Sequence, residues 1–187
     1  MAHGYQHVFL TGPPGIGKTT IIEKVCKELR LKSISMKGFF TAELREDGKR
    51  VGFDIISLDG NRCPLARIGI DSEGTGPKVG QYVVKSFESV ALPILQTEMS
   101  HVTVLDEVGK MELFSQRFEL AVKNVFATNT SILGTIPLQK GRPIPLVEFI
   151  RTHPSVKLFT VDYKNRDSVP YEIVNLLASA GESHGKP

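Results

Sequence analysis

The chain has no tryptophan and only two cysteines, Cys26 and Cys63, in 187 residues. That scarcity excludes a disulfide-dense secreted scaffold, and the pair reads as two structural thiols of a reduced protein. The five histidines, His3, His7, His101, His153 and His184, are scattered with no pair at metal-ligand spacing, which argues against a zinc site. No apolar run approaches the roughly 20 residues that a membrane-spanning helix needs. The opening MAHGYQHVFL lacks the basic start and long apolar core of a secretory signal. An excess of one charge is missing too. The formal net charge is +3, and no Lys/Arg block or aromatic-basic interleaving marks a nucleic-acid surface. These absences lead to the expectation of a cytoplasmic protein with no membrane or nucleic-acid partner, a nuclear or organellar address remaining open.

What is present suits an ordinary globular protein, 41% hydrophobic and 23% charged. The length fits one domain, residues 1–187, with a proper core and a tail frayed from about residue 181. HVFLT at His7–Thr11 predicts a buried strand. Ile22, Val25, Cys26 and Leu29 recur at helical spacing and predict a helix over Lys18–Leu31.

GFFTAELRE and RVGFDIISL read as two strands joined at Asp47-Gly48, a tight-turn signal because both central residues need positive φ. A second Asp-Gly at 59–60 leads into NRCPLARIGI, so an antiparallel meander is expected after the first helix. QYVV (81–84) reads as a short strand, and Ser86–Met99 as a helix kinked or broken at Pro93. Beyond it, strands at 101–105, 131–136 and 156–161 alternate with helices at 112–127, 145–152 and 167–180. Such alternation predicts an α/β three-layer sandwich, its mostly parallel sheet carrying the inserted hairpins.

The chemistry concentrates in two places. Gly12, Gly15, Gly17, Lys18 and Thr19 in LTGPPGIGKTT match G-x-x-x-x-G-K-[ST], between a strand and a helix. A chance match is on the order of one in a hundred chains of this length. A polyphosphate can be held by backbone N–H groups that point inward, which glycines permit, and by the positive end of the following helix. Gly12, Pro13, Pro14, Gly15, Ile16, Gly17, Lys18 and Thr19 are therefore the expected nucleotide-binding residues, Lys18 reaching the β- and γ-phosphates and the Thr19 hydroxyl meeting Mg²⁺.

The second place is HVTVLDEVGK, where Asp106 and Glu107 close a strand. Ligands of open α/β sheets collect at the carboxyl ends of strands, so Asp106 is expected to face Mg²⁺. Glu107, ionised at neutral pH, can orient and polarise an attacking water. Glu107 and Lys18 are the expected catalytic residues; Thr19 and Asp106 are the expected metal ligands.

With both motifs in hand, the chain resembles P-loop NTPases that carry a Glu directly after the strand Asp. More narrowly, it resembles the cancer-related nucleoside triphosphatase family. HVFLTGPPGIGKTT, GFFTAELREDGKRVGFDIISLDG, VGQYVV, LDEVGKMELFS, ILGTIP and KNRD carry the likeness over roughly residues 7–167. The resemblance implies a P-loop fold and Mg²⁺-dependent hydrolysis of nucleoside triphosphates (ATP, GTP, CTP, UTP) to diphosphate and phosphate, with loose base preference. It also implies that Asn165 and Arg166 lie near the nucleobase. A monomer is expected, though the hairpin edge could pair with another chain.

Lys140, Arg142 and Lys110 are further cations near the ligand end, and each reads more readily as a solvated charge. Thr41, Glu43 and Arg45 share one strand face and read as the wet side of the hairpin. Two rivals share the phosphate-side residues: a small-molecule kinase, which needs an acceptor, and a nucleotide switch, which needs a partner protein.

Overall fold

The computed structural model describes residues 4–67, 81–97, 100–109 and 115–182. Its strands are β1 (His7–Thr11), β2 (Met36–Glu46), β3 (Lys49–Ser57), β4 (Arg62–Arg67), β5 (Val102–Asp106), β6 (Ser131–Thr135) and β7 (Val156–Thr160). They form one sheet in the order β4-β3-β2-β5-β6-β1-β7. From β2 to β7 across the sheet the pairings are parallel, while β3 and β4 add antiparallel to its edge. The carboxyl ends of β1, β5 and β6 therefore share one rim, which is where a ligand of such a sheet sits.

Helices α1 (Lys18–Leu31) and α5 (Val169–Glu182) bury Ile22, Val25, Leu29, Ile173 and Leu177 against Val8, Leu10 and Val104 on one face. On the other face α2 (Gln81–Gln96), α3 (Gln116–Phe126) and α4 (Pro145–Thr152) bury Phe87, Phe118 and Ile150 against Phe9, Phe39 and Leu105. Full burial of each such side chain contributes about 1.5–3 kcal/mol. β1, β5 and β6 are buried at every position, as strands covered on both faces must be.

The meander forms as expected, with Asp47 and Gly48 at φ 48° and 76°. Three expectations need correction. QYVV is the first turn of α2, because the helical spacing of buried Phe87, Ala91 and Leu95 extends upstream and overrides the β propensity of two valines. Pro93 does not break α2. It sits in the last turn, and its carbonyl accepts from Thr97 N–H at 2.9 Å. α3 starts at Gln116, where the Ser115 hydroxyl accepts from Phe118 N–H at 3.1 Å; residues 112–114 of the expected helix lie outside the described residues. The glycine-rich loop at 74–80 also lies outside them. No helix among the described residues is long and apolar enough to cross a membrane. Both cysteines are buried and neither is in a disulfide, and burial pushes the Cys26 thiol up to about 12, an unreactive state.

At the rim opposite the ligand end, His7 is fully buried. Its Nδ1 accepts from Ile132 N–H at 3.2 Å, its ring lies 4.4 Å from that of Phe126, and Nε2 has no partner. Burial, with the nearby His153 adding to it, lowers its pKa from 6.5 to about 4. Between those values the unfolded chain binds a proton that the fold refuses. Stability from this residue is complete above pH 6.5 and is lost as pH falls to about 4, by about 3 kcal/mol. Urea unfolding of His7→Gln, which keeps an acceptor for Ile132, is expected to lose that share of the acid slope. Equal slopes in parent and variant would assign it elsewhere.

Candidate functional site

The glycine turn leaves β1 directly. Val161 N–H donates to Thr11 O at 2.8 Å, and a Cβ at Gly12 would sit only 2.8 Å from Val161 O, so this position has no room for a side chain. Buried Ile16 anchors the turn, its N–H donating to Pro13 O at 3.2 Å, while Pro13, Pro14 and Gly15 form an exposed rim. Gly17, at φ 105°, precedes α1 and caps it with no side chain; the first turn carries no acidic residue. The leading N–H groups of α1 are thus left for an anion. Lys18 Nζ donates to Gly12 O at 2.9 Å and Pro13 O at 3.4 Å, folded over the cradle.

β6 separates β1 from β5, yet the two motifs meet. Thr19 Oγ1 donates to Asp106 Oδ2 at 2.6 Å, and Thr135 Oγ1 donates to Asp106 Oδ1 at 2.6 Å. Asp106 is 2% exposed. Burial raises its pKa, and this outweighs the opposing hydrogen bonds from Thr135 and Thr19 and the charge of Lys18. The carboxylate therefore lacks enough positive charge around it, the condition a bound cation relieves. Without a cation the group costs stability as pH rises from the unfolded carboxylate pKa through its raised folded one, because over that range the unfolded chain has released a proton that the fold still holds. Asp106→Asn is accordingly expected to raise the melting temperature of the metal-free protein at neutral pH. An unchanged or lower melting temperature would contradict the burial penalty.

Glu107 follows as a half-buried residue after a cis peptide bond. Its Oε1 lies over Gly109, where a Cβ would come within 3.2 Å of it. Val108 N–H donates to Thr135 O at 2.9 Å, tying this segment to β6. Thr135 is the residue that sequence reasoning misses. Residue by residue, its signal is a hydroxyl at the carboxyl end of a mostly apolar strand, SILGT, and strand threonines are too common for that to stand out.

Asn165 and Arg166 lie in the loop beyond β7, four and five residues after Val161, whose carbonyl would crowd a Cβ on Gly12. The Asn165 side chain is engaged in the loop itself, accepting from Asp162 N–H at 2.9 Å and donating to Thr160 O at 2.8 Å. Lys140 and Arg142 are exposed in the loop after β6, and Lys110 lies outside the described residues. Arg45 pairs with Glu43 at 2.8 Å and donates to Gly48 O, as a solvated hairpin face does.

The family described as NTPase matches residues 7–174. The human cancer-related nucleoside-triphosphatase is 46% identical over 186 residues, covering 94% of this chain and 98% of its own. The nucleoside-triphosphatase THEP1 of Thermotoga sp. strain RQ2 is 38% identical over 174 residues, covering 91% and 94%. Among solved structures, that of a human cancer-related nucleoside triphosphatase superposes with a TM-score of 0.79 at 42% identity, covering 93% of this chain and 98% of that one. The crystal structure of THEP1 from Aquifex aeolicus gives 0.73 at 31% identity, covering 91% and 98%.

Proposed function

The chain belongs to the NTPase family, and from that premise we propose that it is a Mg²⁺-dependent enzyme hydrolysing ATP, GTP, CTP and UTP to diphosphate and phosphate. The observation that carries this reading is the 2.6 Å contact between Thr19 and Asp106, which joins the phosphate cradle to the acidic strand end. Among the described residues no group of three His, Cys, Asp or Glu converges on a metal. A hydroxyl and one carboxylate are few, hard oxygen donors, and they fit Mg²⁺, which keeps waters and takes its other ligands from phosphates. Thr19 and Asp106 would hold it, and the ion would neutralise charge on the β- and γ-phosphate oxygens.

The rest falls to the chain. The open N–H groups of the turn and of α1 bind the triphosphate, and Lys18 exchanges its carbonyl partners for phosphate oxygens. Glu107 accepts a proton from a water lined up on the γ-phosphorus, while Thr135 keeps Asp106 oriented. Asn165 and Arg166 belong to the base side, a role supported by the contact of their loop with Gly12. A monomer fits β7, a five-residue edge strand carrying Lys157, which discourages pairing with another sheet.

The test is phosphate release from each of the four nucleotides with Mg²⁺ and no other substrate. Equal amounts of diphosphate and phosphate are expected from all four. Release that waits for an added nucleoside or metabolite would identify a kinase and overturn the proposal.

A further inference from the structure

The loop beyond β7 carries one feature that the phosphate chemistry does not use. Tyr163 is 75% exposed, with the Arg166 guanidinium stacked over its ring at 5.0 Å from the centroid. Tyr163 is two residues, at most about 7 Å of chain, beyond Val161, whose carbonyl touches Gly12 of the cradle. An exposed aromatic ring therefore stands within reach of whatever is attached to the bound phosphates. An exposed tyrosine elsewhere on the surface would carry no such meaning.

The loop is also built to stay still. Asp162 Oδ1 accepts from the N–H groups of Lys164 and Asn165 at 2.7 and 3.0 Å. Asn165 spends both ends of its amide on Asp162 N–H and Thr160 O, and its carbonyl accepts from the N–H groups of Ser168 and Val169. These groups hold the loop's own shape, so they are not available to read the edge of a base.

We propose that Tyr163, its one face backed by Arg166, is the platform on which the nucleobase stacks, and that this stacking binds every base about equally. The inference rests on the hydrolase reading above and names how its substrates are held. Every base offers a π-face, so stacking is tolerant of base identity, and the guanidinium behind the ring adds a cation–π contribution. Asn165 then acts as a positioning residue rather than as a base contact.

The test compares KM and kcat for ATP and CTP with the inhibition constant of inorganic tripolyphosphate, which has phosphates and no base. Tyr163→Ala is expected to raise KM about tenfold for both nucleotides. Its kcat and the tripolyphosphate constant should stay within about twofold of the parent. Tyr163→Phe should restore KM, since the ring is kept. Tyr171→Ala, which removes another exposed tyrosine in the first turn of α5, should leave every constant unchanged. An unaltered nucleotide KM in Tyr163→Ala overturns the platform. So does a matching rise in the tripolyphosphate constant, which would locate the damage in the cradle. A parent protein that hydrolyses none of the nucleotides overturns the hydrolase reading itself, a result distinct from either of these.

Discussion

Glu107→Gln is expected to bind ATP as tightly as the parent and to release phosphate about a thousandfold more slowly. The substitution keeps the size and shape of the side chain and removes its ability to take a proton. Glu107 lies outside the cradle, and both oxygens of Asp106 are already met by Thr19 and Thr135. Binding should therefore survive while water activation fails. Steady-state phosphate release, paired with ATP binding by titration calorimetry, separates the two. A variant that turns over within a few-fold of the parent would remove Glu107 from the chemistry and leave the cradle untouched.

Lys18→Ala should act on the other half of the reaction. The ammonium is half-buried at the mouth of the cradle and donates to two backbone carbonyls, those of Gly12 and Pro13. On binding, a triphosphate replaces neutral acceptors by charged ones, and charge-assisted hydrogen bonds are the stronger kind. Losing them costs about 3 kcal/mol, close to a hundredfold in ATP affinity. The folded state loses little, because the bond to Pro13 is exposed and that to Gly12 only partly buried, so water can replace the ammonium. An ATP dissociation constant near that of the parent, at an unchanged melting temperature, would contradict the assigned role.

Both variants probe residues legible in the chain's linear order. The glycine turn declares itself because its function needs glycine at positions where other residues strain or clash, and Gly12 and Gly17 show why. Asp106 and Glu107 stand out only because they close an apolar strand downstream of that turn. Elements with a clean period, such as β1, α1 and α4, end where their residue pattern ends. The one element assigned the wrong type has a clear cause. At 81–84 two valines speak for a strand, but the register of Phe87, Ala91 and Leu95 on the core decides for a helix. Local preference is worth tenths of a kcal/mol per residue, and burial of a large side chain is worth more.

The linear order of residues by itself determined a parallel α/β chain with a phosphate-binding turn, an acidic strand end and an Asp-Gly hairpin, since each depends on backbone or side-chain properties that act over a few neighbours. Only the tertiary structure decided that β6 lies between β1 and β5, bringing Thr135 onto Asp106, and that the chain leaving β7 packs Val161 against Gly12 and leaves Tyr163 exposed. The reason is that strand order is settled by which apolar faces bury each other best across the whole sheet, a sum over distant residues that no short stretch contains.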